Sequence, residues 1–354
     1  MKFFRILGLV VAILGLVTII AGPQTAAAAE FTMKMAHVGS AAKFSKPHEA
    51  LLAIKDPIER LSGGRIEVQI YPSGQMGNFR ESLEMVQNNT LEVAMTTVGG
   101  IAAFFPEFQV TDLPYHLSNE YVAEWFSQSP FWAEIGAAVL KKTGNIRWMG
   151  AGRGGYRHFI TTKKQVKVAS DLKGVKMRTI NSDMQQEFVR SLGANPTPVP
   201  WGEVYTSLST GVVEGIKNDC SDIVTFKMPV KYIILDSHVP IYDFIWISDK
   251  WLKSLPADLQ RVVAEGIRSG MRYEDNYWKW AARNFRSQFA KKMKGKITVP
   301  SQAQMDTFLP AKEHMRKWFS KQYPDGEHWL KKFDAGLAWT DDKVNTEYKP
   351  YITY

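Results

Sequence analysis

A long stretch without proline, residues 257–292, constrains the fold more than any other part of the sequence. Its apolar and aromatic residues recur at a spacing that places them on one helix face. These residues are Leu259, Val263, Tyr273, Tyr277, Ala281, Phe285 and Phe289. At about 1.5 Å per residue, one helix through this stretch would reach roughly 50 Å. Such a helix is too long for one small domain, so we expect it to brace two lobes.

Before this helix, short apolar runs that alternate with polar residues are separated by helical patterns. Strands are predicted at residues 31–37, 65–71, 91–97, 146–150, 157–161 and 175–178. Helices are predicted at 47–61 with an interruption at Pro57, at 78–88, at 119–138 behind Ser118, from Ser182 to Gly193, and at 201–209. Strands that alternate with helices favour parallel pairing and an α/β fold.

Two segments are predicted to be irregular. Residues 152–155, Gly-Arg-Gly-Gly, resemble a phosphate loop only superficially, because no Gly-Lys-Ser or Gly-Lys-Thr follows, and a turn between strands is the better interpretation. Pro196, Pro198 and Pro200 predict a stiff connector.

The N-terminus has the three parts of a secretory signal peptide. Lys2 and Arg5 precede an apolar run at residues 6–21, and small residues end at Ala29, which predicts cleavage before Glu30. The alternative is an uncleaved membrane anchor, since the apolar run approaches the length that spans a bilayer. We expect an exported protein, localised in the periplasm.

Length and charge limit the remaining choices. The 354 residues allow two lobes of ordinary domain size. The formal charge of +9 becomes +7 when Lys2 and Arg5 are removed, since 9 − 2 = 7. A basic protein can bind nucleic acid, but an exported protein rarely meets it. The charge favours faster capture of small anions, or it is simply that of a soluble surface.

No motif in the chain indicates catalysis. The sequence has no Gly-x-Ser-x-Gly, no phosphate loop and no His-Glu-x-x-His, and the seven histidines are not at zinc-ligand spacing. Cys220 is the only cysteine, which rules out an intramolecular disulfide, and it is interpreted as a buried apolar residue. The absence of these motifs speaks against an enzyme, and we expect neither a cofactor nor a metal.

Arg178 is the candidate for binding an anion. It ends a predicted strand just before a helix that begins at Ser182. In open α/β sheets ligands bind beyond the carboxyl ends of the strands, and a guanidinium fork matches a carboxylate. Arg157 is a second candidate of the same kind. From position alone, a structural or surface role remains open for both arginines.

Several long motifs resemble the substrate-binding proteins of TRAP (tripartite ATP-independent periplasmic) transporters. The central block runs from Lys-Met-Arg-Thr at 176–179 through Leu-Gly-Ala-Asn-Pro-Thr-Pro-Val-Pro-Trp-Gly-Glu-Val-Tyr at 192–205 to Leu-Ser-Thr-Gly-Val-Val-Glu-Gly at 208–215. Tyr-Pro-Ser-Gly-Gln-Met-Gly at 71–77, Leu-Pro-Tyr at 113–115, Asp-Leu-Lys-Gly at 171–174 and Leu-Pro-Ala-Asp-Leu at 255–259 also match. The resemblance covers nearly all of the chain after residue 29.

The resemblance implies a two-lobed α/β clamp with a long helix that spans both lobes. Lobe I would comprise residues 30–152 plus about 243–280, and lobe II residues 153–242 plus about 281–354. A monomer would close around an organic anion and deliver it to two integral membrane subunits. The alternative ligand is an organic sulfonate. The alternative roles are those of a receptor in an ATP-driven importer or in a signalling system.

The resemblance also implies ligand-binding roles for particular residues. Arg178 would pair with the ligand carboxylate, Arg157 and Asn218 would donate beside it, and Trp201 would cover the carbon skeleton. Phe79 and Thr97 match pocket-lining positions of the first lobe less closely.

At three positions near the expected site, the sequence departs from the family or leaves the role of the residue open. The family commonly has Gln-Glu where this chain has Ile216 and Lys217, so Lys217 would either add charge beside the ligand or face solvent. Cys220 replaces a commoner apolar residue. His37 would either reach the cleft or be a satisfied core histidine.

Overall fold

The computed structural model describes residues 28–352, with side-chain burial given to residue 347. The predicted signal peptide therefore lies outside the described residues, apart from its last two positions. Within residues 28–352, no helix combines the length and the apolar character needed to cross a membrane.

One mixed sheet of nine strands forms the framework, in the order β2-β1-β3-β8-β4-β7-β5-β6, with β9 beside β8. The strands are β1 (Phe31–Ala36), β2 (Ile66–Tyr71), β3 (Val93–Thr96), β4 (Ile146–Thr161), β5 (Lys176–Thr179), β6 (Asn195–Pro198), β7 (Gly215–Asn218), β8 (Tyr232–Ser248) and β9 (Lys296–Thr298). The outer strands β1, β2, β3 and β5, β6, β7 pair in parallel with one another, whereas β8 and β4 pair antiparallel across the middle. The predicted parallel pairing thus holds on either side of a central antiparallel pair.

Helices cover the sheet. They are α1 (Lys46–Leu61), α2 (Phe79–Gln87), α3 (Val98–Ile101), α4 (Glu120–Phe126), α5 (Phe131–Thr143), α6 (Asp183–Ser191), α7 (Val204–Thr210), α8 (Cys220–Thr225), α9 (Asp249–Ser254), α10 (Ala257–Lys291), α11 (Gln302–Asp306), α12 (Pro310–Gln322) and α13 (Gly326–Ile352). Strands flanked by helices confirm the α/β prediction.

Two predicted helices have different bounds in the structure. Helix α1 runs through Pro57 without interruption, because the buried residues Ala50, Leu51, Ile54 and Ile58 pack one side of it into the core and outweigh the missing backbone donor. The single helix predicted at 119–138 is two helices, α4 and α5, separated at Pro130.

Two segments predicted to be irregular are strands. The glycine-rich residues 152–155 lie inside the continuous strand β4, whose pairing with β8 shifts register between Arg153 and Tyr156. The prediction of a turn was wrong because a long-range partner strand holds the backbone extended. The proline connector forms β6, an edge strand, where prolines are tolerated because one side needs no donors.

The predicted long helix is confirmed as α10, with 35 residues. Its first part packs on β1, β2, β3 and α1, with Leu259, Val263 and Ile267 buried in that core. Its last part packs Ala281, Phe285 and Phe289 into a separate core with β7, α7 and α8. One helix thus joins two apolar cores, as expected for a brace between lobes; the lobe boundaries themselves remain predictions.

Close approach of α1 and α10 depends on two glycines. A Cβ at Gly266 would lie 2.3 Å from Ile58 Cγ1, and one at Gly270 would lie 2.2 Å from Ile54 Cγ1. Only residues without a side chain permit this spacing, so the two helices form a tightly packed pair.

Candidate functional site

A cavity lies beyond the ends of β5 and β7, next to the central strands. Its lining includes seven of the eight residues predicted from the sequence, which are His37, Phe79, Thr97, Arg157, Arg178, Trp201 and Asn218. The cavity volume that the centre of a water molecule can occupy is about 70 Å³. Both halves of the chain contribute residues, so the cavity lies between the parts of the sequence assigned to the two predicted lobes.

Arg178 lies on β5, one residue before its end, and is 4% exposed. Its Nε donates to the Val199 carbonyl at 3.0 Å, and within residues 28–352 this is its only side-chain hydrogen bond. The guanidinium lies 5.8 Å from the centre of the Trp201 ring. Burial and the nearby charge of Arg157 lower the pKa of Arg178 to about 9. A buried cation in this state favours any anion that enters the cavity.

Arg157 lies on β4 and is 5% exposed. Its Nε has no hydrogen-bond partner among the described residues, and its side chain forms no ion pair there. The strand pairing shifts register directly after it, between Arg157 and Phe159. Two buried guanidinium groups thus share one cavity, and neither lies within ion-pair distance of a carboxylate of the described residues. The charge of Asp222 acts on Arg178, and that of Asp112 on Arg157, from farther away.

Asn218 and Trp201 complete this end of the cavity. Asn218 ends β7, and its Oδ1 accepts from the Asp219 backbone N–H at 2.9 Å, which fixes the orientation of the amide. Trp201 packs edge-on against Phe226, with ring centres 5.1 Å apart. The amide offers hydrogen bonds and the indole offers an apolar face.

Residues from the first half of the chain line the side of the cavity opposite Asn218 and Trp201. Phe79 opens helix α2 behind the capping residue Asn78, and Thr97 precedes α3 with its buried hydroxyl unpartnered among the described residues. His37 Nε2 lies 3.1 Å from His48 Nδ1. Burial and His48 lower the pKa of His37 to about 3, so the imidazole is neutral. His37 is therefore buried and also lines the cavity, a combination of the two interpretations made from sequence.

Lys217 is not among the residues that line the cavity. The alternative that it faces solvent was wrong, since it is 2% exposed. Successive residues of a strand point to opposite faces, so Lys217 points away from the face that Asn218 presents. Its ammonium donates to the backbone oxygen of Gln185 at 3.1 Å and to the Gln185 side-chain oxygen. Burial and Arg157 lower the pKa of Lys217 well below its ordinary value.

Sequence reasoning missed three charged residues of the cavity lining, which are Lys46, Asp222 and Asp243. Asp222 lies four residues after Asn218, in the first turn of α8, so its position could have been inferred from the motif. Lys46 and Asp243 come from distant parts of the chain, where no local pattern marks them.

Lys46 begins α1 and connects it to the second half of the chain. Its Nζ donates to the Gly154 carbonyl at 2.6 Å and to the Asp219 carboxylate, and lies 3.8 Å from Asp222 Oδ1. Burial alone would lower the pKa of Lys46, but the surrounding carboxylates raise it above its ordinary value. Lys46 is therefore a cation held firmly by its partners.

Cys220 is buried at the start of α8, as interpreted from sequence. Burial and the adjacent Asp219 raise the pKa of its thiol to about 12, so the thiolate that a nucleophile requires is not formed at neutral pH. The groups that line the cavity are those of recognition: guanidinium donors, an amide, carboxylate acceptors and an aromatic face.

Comparison with known proteins agrees with this geometry. The model of the bacterial extracellular solute-binding protein family 7 matches residues 35–322. The chain belongs to this family. As predicted, this is the family of TRAP-transporter solute-binding proteins, which bind small organic anions and deliver them to membrane components.

Curated relatives match over most of their length. A protein of Salmonella typhimurium named YiiZ is 30% identical over 236 residues, which are 65% of this chain and 71% of the relative. The ectoine/5-hydroxyectoine-binding periplasmic protein of Ruegeria pomeroyi is 27% identical over 293 residues, which are 77% of this chain and 82% of the relative.

Solved structures share the fold. A TRAP periplasmic solute-binding protein from Anaerococcus prevotii, determined with bound D-glucuronate, matches with a TM-score of 0.81 and 22% identity, over 88% of this chain and 99% of that one. The predicted two-lobed fold of the binding-protein class, with its long helix, is confirmed.

Proposed function

We propose that this protein captures a small organic carboxylate in the cavity and delivers it to the membrane subunits of a TRAP transporter. Capture takes place in the periplasm after export by the N-terminal signal peptide. The protein changes no covalent bond in its ligand, and it acts as a carrier rather than an enzyme.

The observation that supports this proposal most strongly is the state of Arg157 and Arg178. Both guanidinium groups are buried, and neither forms an ion pair within residues 28–352. Burying an unpaired charge is costly, and a carboxylate between two guanidinium groups would offset that cost with charge-assisted hydrogen bonds. The free terminal nitrogens of Arg178 suit a bidentate pair.

The neighbouring residues suit the rest of an organic acid. Trp201 would cover the carbon skeleton, and Asn218 would donate beside the carboxylate. Phe79, Thr97 and His37 would close the cavity from the first half of the chain. The names of the relatives support this class of ligand, since one binds ectoines, which carry a carboxylate, and a similar structure contains a glucuronate.

Delivery would depend on hinge closure. The two predicted lobes would approach each other around the ligand, because residues of both bind it, and the closed form would then dock on the membrane subunits. A ligand that binds only the folded protein also raises its melting temperature.

A thermal-shift screen of the purified protein against organic carboxylates and matched sulfonates tests the proposal. We expect carboxylates to raise the melting temperature of the wild type and to leave that of Arg178→Ala unchanged. Loss of one partner of a desolvated charge pair costs about 3–5 kcal/mol, or roughly two to four decades in affinity.

Arg190→Ala is the matched control, since Arg190 is exposed on α6 and its contact with Glu187 at 3.4 Å is at the surface. It should respond to ligands like the wild type. Stabilisation of Arg178→Ala equal to that of the control would refute the assignment of Arg178. Stabilisation by sulfonates alone would replace the carboxylate with a sulfonate.

A further inference from the structure

The cavity has a second charged end, to which the two arginines do not belong. Asp222 on α8 and Asp243 in the middle of β8 both line the cavity, together with Lys46. Neither carboxylate is needed for the capture of an anion, and both would oppose it if the anion lay beside them.

The strand register separates this end from Arg157. Arg157 is paired with Val239 on β8, and Asp243 lies four residues further along the same strand, since 243 − 239 = 4. At about 3.3 Å per residue, the two backbone positions are roughly 13 Å apart along the strand, while both side chains reach into the same cavity. Asp222 lies 3.8 Å from the Lys46 ammonium, and its charge also acts on Arg178.

The lysine at this end is already neutralised. Lys46 pairs with the Asp219 carboxylate, which also accepts from the Ser221 hydroxyl at 2.7 Å and from the Asp222 backbone N–H at 2.9 Å. Asp222 lies farther away, 3.8 Å from the ammonium, and Asp243 forms no ion pair in the described part of the chain.

Behind Asp243, the side chain of Glu274 on α10 is completely buried. Burial and the nearby charge of Asp243 raise the pKa of Glu274 well above its ordinary value. Burial and the nearby carboxylates of Asp219 and Asp243 raise the pKa of Asp222 to about 7, although Lys46 acts to lower it. Three carboxylates, those of Asp219, Asp222 and Asp243, thus lie around the Lys46 ammonium, so this end of the cavity has an excess of hydrogen-bond acceptors.

We infer that the ligand carries its negative charge at one end only and presents hydrogen-bond donors, hydroxyl or ammonium groups, to Asp222 and Asp243 at the other. The inference rests on the proposed function, since it assumes that the charged end meets Arg157 and Arg178. A dicarboxylate of similar length would place its second carboxylate against Asp222 and Asp243, where like charges repel each other.

Calorimetry of the wild-type protein with two matched sets of acids tests this inference. The first set has four carbons and differs only at the far end: butanoate, 4-hydroxybutanoate, 4-aminobutanoate and succinate. The second set is galactonate and galactarate, which differ only in whether the far carbon is a hydroxymethyl group or a carboxylate.

We expect 4-hydroxybutanoate or 4-aminobutanoate to bind at least about tenfold more tightly than succinate, and galactonate more tightly than galactarate by a similar factor. The better of the two four-carbon donors tells whether the natural ligand offers hydroxyl or ammonium groups. Succinate and galactarate binding as tightly as their partners would overturn the inference and leave the proposed function intact. Failure of all six acids to bind would contradict both.

A neutral variant then assigns the selectivity to one residue. In Asp243→Asn the preference for galactonate over galactarate should fall at least about threefold, because the repulsion of the second carboxylate is removed. Asp56→Asn, on the exposed side of α1, is the matched control and should keep the preference of the wild type. An unchanged preference in folded Asp243→Asn would also overturn the inference. If that variant fails to fold, Asp222→Asn makes the same comparison.

Discussion

Two groups of buried cations lie close together in this protein and have opposite surroundings. Arg153, on β4, is 2% exposed and contacts two carboxylates, Asp275 at 3.0 Å and Glu124 at 3.4 Å. Lys46 is held by Asp219 and the Gly154 carbonyl. Arg157 and Arg178 are as deeply buried, yet neither lies within ion-pair distance of a carboxylate among the residues described.

The difference separates charges that hold the fold from charges that await a ligand. A paired buried cation ties two parts of the chain together: Arg153 ties β4 to α4 and α10, and Lys46 ties α1 to the start of α8. An unpaired cation contributes no such link and raises the free energy of the empty protein. The same residue types thus have different roles within one region, and burial alone does not distinguish them.

Removing a paired cation gives the largest expected effect on stability. Lys46→Met keeps an apolar stem but leaves the Asp219 carboxylate without its cation, which should lower the free energy of unfolding by about 3 kcal/mol. Urea unfolding followed by circular dichroism measures this change. Arg178→Ala, measured in parallel without ligand, should be as stable as the wild type or more stable. Equal losses in the two variants would remove the distinction between the two groups.

A lysine at position 178 keeps the positive charge but lacks the planar guanidinium group. We expect its effect on ligand affinity to be intermediate in size. Arg178→Lys should bind the ligand found in the screen more weakly by about 2 kcal/mol, or roughly thirtyfold, since a point charge cannot form the bidentate pair. Calorimetry at constant ionic strength measures the affinity. Wild-type affinity in Arg178→Lys would mean that charge alone holds the anion.

Removing the indole ring of Trp201 should have the smallest effect on ligand affinity. Trp201→Ala should weaken binding about tenfold, because the carbon skeleton loses an apolar contact while the charged contacts remain. Trp280 on α10 is 45% exposed and does not line the cavity, so Trp280→Ala is the matched control. The same titration should give the control the affinity of the wild type. An equal loss in both variants would show that the change does not arise in the cavity.

The parts predicted well from sequence depend on local patterns. The long helix follows from regular spacing without proline. A strand end before a capped helix made Arg178 a candidate, and the resemblance of the central block then implied its place in the site. The position of Lys217 could not be obtained in this way, because it depends on which face β7 presents to the cavity. Lys46 and Asp243 were not predicted to line the cavity, because only folding brings α1 and the middle of β8 together.

The prediction of a turn at residues 152–155 also failed because the conformation depends on distant parts of the chain. Glycines favour turns in the sequence, but in the structure Gly152 pairs with Asp243 of a strand far along the chain. Long-range pairing decided the conformation against local preference. The acidic end of the cavity is therefore the part of the site that sequence reasoning could not provide.

A crystal structure of the protein with the best carboxylate from the screen tests the central claim most directly. We expect the carboxylate oxygens to lie within hydrogen-bond distance of the terminal nitrogens of Arg178, with Arg157 beside them and Trp201 over the carbon skeleton. A carboxylate bound away from both arginines, with the guanidinium groups still unpaired, would contradict it.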